Sequence, residues 1–357
     1  MRPWKQIVRS GGLVCVLAAL ACGLRLGPGG ESEASPDPAA FSSSTAWAHL
    51  EELSEIGPRE PGSAGSIRAR KYLLDQLRAL DGSEIREIRF EPADSSDAAE
   101  EGAAGSGLAE RVHVVSVLPG TSRDVVVLAA AYDSPEFEGF RHVGSNTSAS
   151  GPAMVLELGR ALSERPRPYT VWLVFLDADA VDPGGDPERH GFEGSRKLVE
   201  TLDAEGSLER IRAVFFFDRV ADSELVIARD LHSHGIYRDV FFEVAKERGL
   251  DGVFPRSGNF HQPRTGHRVF LDHGFRRVVA IVDPRHGPGA APGVFWHSPD
   301  DTPEQSSQDS LEAVGTVSLE AISLIGKRLE KVDRFADPRL SEPGTGKGTP
   351  EPSRGSN

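Results

Sequence analysis

Unbroken apolar stretches set the framework of this chain: VVVLAAAY at 125–132, VWLVFLDA at 171–178, AVFFFD at 213–218 and VVAIVD at 278–283. Runs of this length without alternation predict strands buried on both faces, as in parallel sheets. Residues 85–90 and 111–118 instead alternate apolar and polar positions, which predicts half-buried strands. Apolar residues near helical spacing predict helices at 46–56, 67–80, 153–162, 194–202, 237–248 and 310–332. Strand and helix alternate, so the expected fold is one α/β domain: a mostly parallel, doubly wound sheet with helices on both faces. In such a sheet chemistry gathers at the carboxyl ends of the strands.

The ends of the chain read differently. Arg2, Lys5 and Arg9 precede the apolar run at 11–22, the layout of a secretory signal, with Ala19, Leu20 and Ala21 as its cleavage site. The run is too short for a comfortable membrane span. Cys22 directly after it also resembles a bacterial lipoprotein acceptor, and an uncleaved anchor is the bland alternative. The expectation is an exported protein, periplasmic, extracellular or a cell-envelope lipoprotein, touching membrane only through its signal or a lipid. The expected organisation is a signal segment at 1–21, a polar linker at 22–45, a domain at 46–335 and a disordered tail at 336–357, with a low-complexity loop at 92–107. Both cysteines, Cys15 and Cys22, fall in the signal region, which removes disulfides and a cysteine nucleophile from the domain. A formal net charge of -14 argues against nucleic acid and anionic membrane as partners and favours neutral or cationic ones.

Candidate chemistry lies at the strand ends. The strand at 171–176 runs into DADA at 177–180, an acidic end in which Ala180 stands where a second carboxylate would complete a pair. AYDSP at 131–135, HVGSNTSASGPAM at 142–154 and FWHSPDDT at 295–302 are the other segments that can converge there. Plainer roles compete. Asp177 and Asp218 could cap the helix or loop after their strands, and Asp300, Asp301 and Thr302 read as a turn. His232 and His234 form a weak H-x-H pair, while His261, His273 and His286 read as surface or loop residues. Ser150 lacks the G-x-S-x-G elbow of a serine hydrolase.

On these segments, taken in order with REPGSAGSIRARKYL at 59–73, the chain resembles the zinc aminopeptidases of the M28 type and, within them, the glutaminyl cyclases. The long segment at 181–193 and VGSNTSASGPAMVLELGRAL at 143–162 carry the cyclase likeness. The resemblance implies a zinc-exopeptidase-like fold and assigns family positions. Ala131 stands where two-zinc peptidases have a ligating His. Thr147 stands at the cyclase zinc Asp and Ala180 at the zinc Glu, so His297 is the retained ligand. Asp179 occupies the acid/base Glu position with one methylene less, and Asp218 that of an assisting Asp. His267 keeps its place in an Asp-Asp-His motif, but Thr265 and Gly266 replace both acids, so the hydrogen-bond network there is expected to be broken. The resemblance makes Trp296 and His267 substrate-binding positions, although a Trp beside a strand is often packing.

Catalytic zinc needs about three protein ligands, which one histidine does not supply. Zinc is therefore expected to be absent or weakly bound. The expected function is a catalytically inactive relative that binds a peptide or a protein N-terminus in the old cleft. The alternative is an active zinc-dependent glutaminyl-peptide cyclotransferase or aminopeptidase with an atypical site of Asp179, Asp218 and His297. Metal-free chemistry of another kind has no positive support in the sequence.

Overall fold

A computed structural model describes residues 37, 39–91, 110–181 and 191–336, with side chains as far as residue 329. The predicted signal segment, most of the linker, the low-complexity loop and the tail beyond residue 336 lie outside the described residues. Among the described residues no helix is long and apolar enough to cross a membrane.

Helix α1 (Ser43–Ile56) starts ahead of the predicted Ala46, because the Ser42 hydroxyl caps it by accepting from the Thr45 N–H at 3.2 Å. Phe41 is already buried, its ring pressed on Gly315. Helix α2 (Ala64–Arg78) comes next, capped by Ser63. Then come β1 (Glu84–Phe90), β2 (Arg111–Leu118), β3 (Val125–Ala131), a π-helical turn (Ser145–Ala149) running into α3 (Ser150–Ser163), and β4 (Thr170–Leu176). The second half is α4 (Glu193–Ala204), β5 (Ile211–Asp218), the two-residue β6 (Arg229–Asp230), α5 (Gly235–Glu247), β7 (Phe260–His261), α6 (His267–Asp272), β8 (Val278–Val282) and α7 (Gln308–Ala336).

The main sheet has the order β1-β2-β4-β3-β5-β8. Its four neighbouring strands β4, β3, β5 and β8 pair in parallel, while β2 is antiparallel to both β1 and β4, so the sheet is mixed. Successive side chains point to opposite faces. Val126, Leu128 and Ala130 of β3 join α1, α2, α3, α5 and α7 in one core; Val127 and Ala129 join α4 and α6 in the other. Strand β2 is buried rather than half-exposed. Its polar residues turn inward onto partners: Ser116 Oγ lies 2.7 Å from Ser83 Oγ, and the His113 ring accepts from the Asp177 N–H at 3.2 Å.

From β3 the chain crosses through α3 to β4 on one side; from β4 it crosses back through α4 to β5 on the other. That reversal opens a crevice at the carboxyl ends of these strands.

Candidate functional site at the strand ends

A cavity of about 100 Å³ fills the crevice, room for one small side chain or a few waters. Ala131, Thr147, Asp179, Ala180, Asp218, Thr265, Gly266, Trp296 and His297 all line it, so the positions singled out in sequence converge. His267 does not line it; that side chain is buried behind Thr265.

The floor is a set of carboxylates held by backbone. Asp133 accepts from the N–H groups of Asp179 at 3.1 Å and Ala180 at 2.9 Å, which fixes the turn out of β4. Burial, with Asp177 nearby, pushes its carboxyl well above the usual range. Asp177 accepts from the Val112 N–H at 3.0 Å, the Ala178 N–H at 3.0 Å and the Tyr132 hydroxyl at 3.1 Å, tying β2, β3 and β4 together. It is a structural carboxylate. Asp179 accepts from the Ser195 N–H at 2.7 Å; burial pushes it up to about 6, and Asp218 adds to the shift. Asp218 is raised by burial against the pull of Arg219, whose Nη1 lies 3.2 Å from its Oδ2.

Backbone strain collects at the same place. The non-glycine residues in the left-handed region among the described residues are Ala178 (φ 57°), Phe192 (φ 59°), Arg219 (φ 50°) and His297 (φ 55°). The last three line the cavity and Ala178 adjoins Asp179. Each conformation costs about 1–2 kcal/mol, which the surrounding packing must offset.

Thr147, in the π turn, does not offer its oxygen to the cavity as a free ligand. Its hydroxyl donates to Asp301 Oδ2, which also takes the Thr147 N–H at 3.3 Å. Asp301 Oδ1 accepts from the Asn146 N–H at 2.7 Å and sits 3.0 Å from His286 Nε2, whose other ring nitrogen is 2.7 Å from Asp222 Oδ2. Burial disfavours charge on His286, but the hydrogen bonds and charges of Asp222 and Asp301 outweigh it and raise the imidazole to about 9. Burial likewise works against both carboxylates, and His286 holds them below their usual range. An imidazolium thus lies between two buried carboxylates. His286 is therefore no surface residue and Asp301 no ordinary turn residue, contrary to the sequence reading. Apart from Asp301 standing just after the WHS segment, no local signal marks them.

His297 stacks on Trp296, with ring centroids 3.4 Å apart, and meets Phe137 edge-on. Burial first, and then His142, lowers it to about 4, so it is neutral at physiological pH. The buried Arg59 guanidinium clamps the surrounding loops, donating to the carbonyls of Leu53, Gly57, Tyr132, Val143 and Gly144.

Around His267 one ring nitrogen has a hydrogen-bond partner, and the other, buried, meets a carboxylate without a well-aligned hydrogen bond. Thr265 Oγ1 lies 2.6 Å from its Nδ1, and Nε2 is 3.3 Å from Asp230 Oδ2. Gly266 is required sterically, since a Cβ there would overlap Ser195 Oγ and Asp179 Oδ2.

These residues do not fit a zinc ion. The Thr147 hydroxyl is committed to Asp301, Ala180 brings only a methyl group, and its N–H is held by Asp133. Among the described residues no group of three His, Cys, Asp or Glu side chains is arranged to hold a metal.

Residues 113–322 match the profile of peptidase family M28. The glutaminyl-peptide cyclotransferase-like protein of Bos taurus is 32% identical over 156 residues, 41% of this chain and 38% of that protein. The glutaminyl-peptide cyclotransferase of Drosophila melanogaster is 25% identical over 178 residues, 48% of this chain and 47% of that protein. The chain thus spans less than half the length of these curated relatives. Among solved structures, glutaminyl cyclase from an Acidobacteriales bacterium superimposes with a TM-score of 0.72 at 27% identity, covering 84% of this chain and 99% of that one. A leucine aminopeptidase precursor from Bacteroides thetaiotaomicron shares the fold, with a TM-score of 0.67 at 20% identity over 80% of this chain and 98% of that one.

Proposed function

The chain belongs to peptidase family M28, and on that premise we propose that it is an exported, non-catalytic member that binds a peptide or protein N-terminus in the strand-end cleft. The observation that carries this reading is the commitment of Thr147: at a zinc-ligand position stands a hydroxyl that donates its proton to Asp301. Ala180 removes a second donor. What the cleft keeps is recognition chemistry. Trp296 and Phe192 supply apolar walls, and Asp179 and Asp218 supply carboxylates suited to an α-ammonium group. The small cavity accepts one residue, not an extended ligand.

Metal analysis of protein purified without chelator, combined with turnover assays on glutaminyl and aminoacyl substrates, tests the reading. The expected result is substoichiometric zinc, no turnover, and peptide binding that a chelator leaves unchanged. Stoichiometric zinc, with turnover abolished by His297→Ala, would overturn it. One observation favours a second reading in which acid/base chemistry persists: Asp179, raised to about 6 beside Asp218, has the character of a proton-transfer group. Turnover lost in Asp179→Asn would decide for that reading.

A further inference from the structure

A second cavity, of about 440 Å³, lies between the first turn of α4, the segment leading from β7 into α6, and α6 itself. Arg196, Arg264 and Arg268 line it with His232 and Gln262, against one carboxylate, Asp272. Phe192 and Arg264 belong to this wall and to that of the strand-end cavity, so the two spaces are neighbours on either side of these side chains. The whole chain carries -14 in formal charge, yet the lining here has the opposite sign. Bulk charge therefore misdescribes the partner this face would recruit.

Two of these arginines, Arg196 and Arg268, differ from those that are tied up in ion pairs. Arg78, Arg86, Arg248 and Arg256 each meet a carboxylate. Arg196 and Arg268 are half-buried and have no ion-pair partner among the described residues. A guanidinium presents five donors in a planar fork that matches a carboxylate. We propose that this cavity is a subsite for acidic side chains of a peptide whose N-terminal residue occupies the strand-end cavity. The proposal rests on the cleft-binding reading above and deepens it: the ligand is an N-terminus with Asp or Glu directly after it. An extended chain advances about 3.3 Å per residue, so with a shared wall the acidic residues fall within the first few positions.

Fluorescence anisotropy with the full chain tests this, using one labelled peptide with a free N-terminus and glutamates at its second to fourth positions, and its counterpart with glutamines there. The glutamate peptide is expected to bind at least about tenfold more tightly, with an advantage that shrinks as salt is added. Arg196→Gln with Arg268→Gln should abolish that advantage, while affinity for the glutamine peptide changes by far less than the advantage lost, the Arg196 charge acting on it only through Asp179. The Lys pair at the same positions, which keeps the charge without the fork, should retain part of it. Equal affinities for the two peptides in the wild type, or an advantage that survives the double Gln variant, would overturn the subsite while leaving cleft binding intact. Failure of both peptides to bind would remove both readings. Tight binding of inorganic phosphate without preference between the peptides would assign the arginines to a free anion and refute the proposal.

Discussion

Replacing His286 with glutamine removes the cation that lies between Asp222 and Asp301, and linkage sets the consequence. The imidazole rises from 6.5 to about 9 on folding, a difference of about 2.5 units, which corresponds to about 3 kcal/mol. Because the folded value is above the unfolded one, this stabilisation is fully present below about pH 6.5 and is lost as pH rises through about 9. The lowered pKa values of Asp222 and Asp301 express the same contacts from the other side and are not added to it. Asp179 and Asp283, raised to about 6, titrate largely below this window. Asp133, held well above the usual range by burial, adds a decline of the same sign that His286→Gln leaves in place, so the difference between the two proteins isolates the imidazole. Urea unfolding of the wild type between roughly pH 6.5 and 9.5 should therefore show a loss of about 3 kcal/mol, read from the midpoint and m. His286→Gln should be less stable by about 3–5 kcal/mol at the lower end, because two buried carboxylates lose their partner, and should lack most of the alkaline decline. A flat wild-type profile over this range, or a variant within about 1 kcal/mol of wild type at pH 6.5, would refute the account of the imidazolium.

Thr147→Asp combined with Ala180→Glu should weaken the metal-free protein, since the new carboxylate at 147 meets Asp301, and added zinc should raise the melting temperature of the variant but not of the wild type; no zinc-dependent shift would mean that the strand ends do not present these positions to one ion. Asp177→Ala strands the Val112 and Ala178 N–H groups, while the Tyr132 hydroxyl keeps the Val112 carbonyl at 3.0 Å, and should cost about 3 kcal/mol, whereas Tyr132→Phe should cost about 1 kcal/mol in the same denaturation assay. Gly266→Ala should cost about 1–3 kcal/mol through overlap with Asp179 and Ser195, and an unchanged melting temperature would show that the gap is wider than described.

The parallel strands were legible because a strand covered on both faces has no reason to alternate, and β3, β4, β5 and β8 are apolar throughout or nearly so. Strand β2 misled for the converse reason. His113 and Ser116 look outward-facing in sequence, but each is buried and found a hydrogen-bonding partner. Helix α6 and the paired β6 and β7 are too short to show a period. At the site, convergence of the strand ends could be anticipated from topology and resemblance, since both depend on order along the chain. The buried network could not. Asp222 comes from the connection after β5, and His286 and Asp301 from distant points of the one between β8 and α7; each alone has the composition of an ordinary turn, and only the fold brings them to hydrogen-bonding distance. The same is true of Asp230, which stands beside His267 although 37 residues separate their positions in the chain.

Gly266 bears on the order in which this cavity can be altered. The space a side chain would need at 266 is held by Asp179 and Ser195, so an acid does not fit there while those side chains stay where they are. A substitution at 266 therefore has to begin with a displacement of Asp179, which also gives up the Ser195 N–H it accepts from. The missing side chain couples the two positions: the rest of the cavity wall can vary one residue at a time, whereas 266 can gain a side chain only together with a change at 179 or 195.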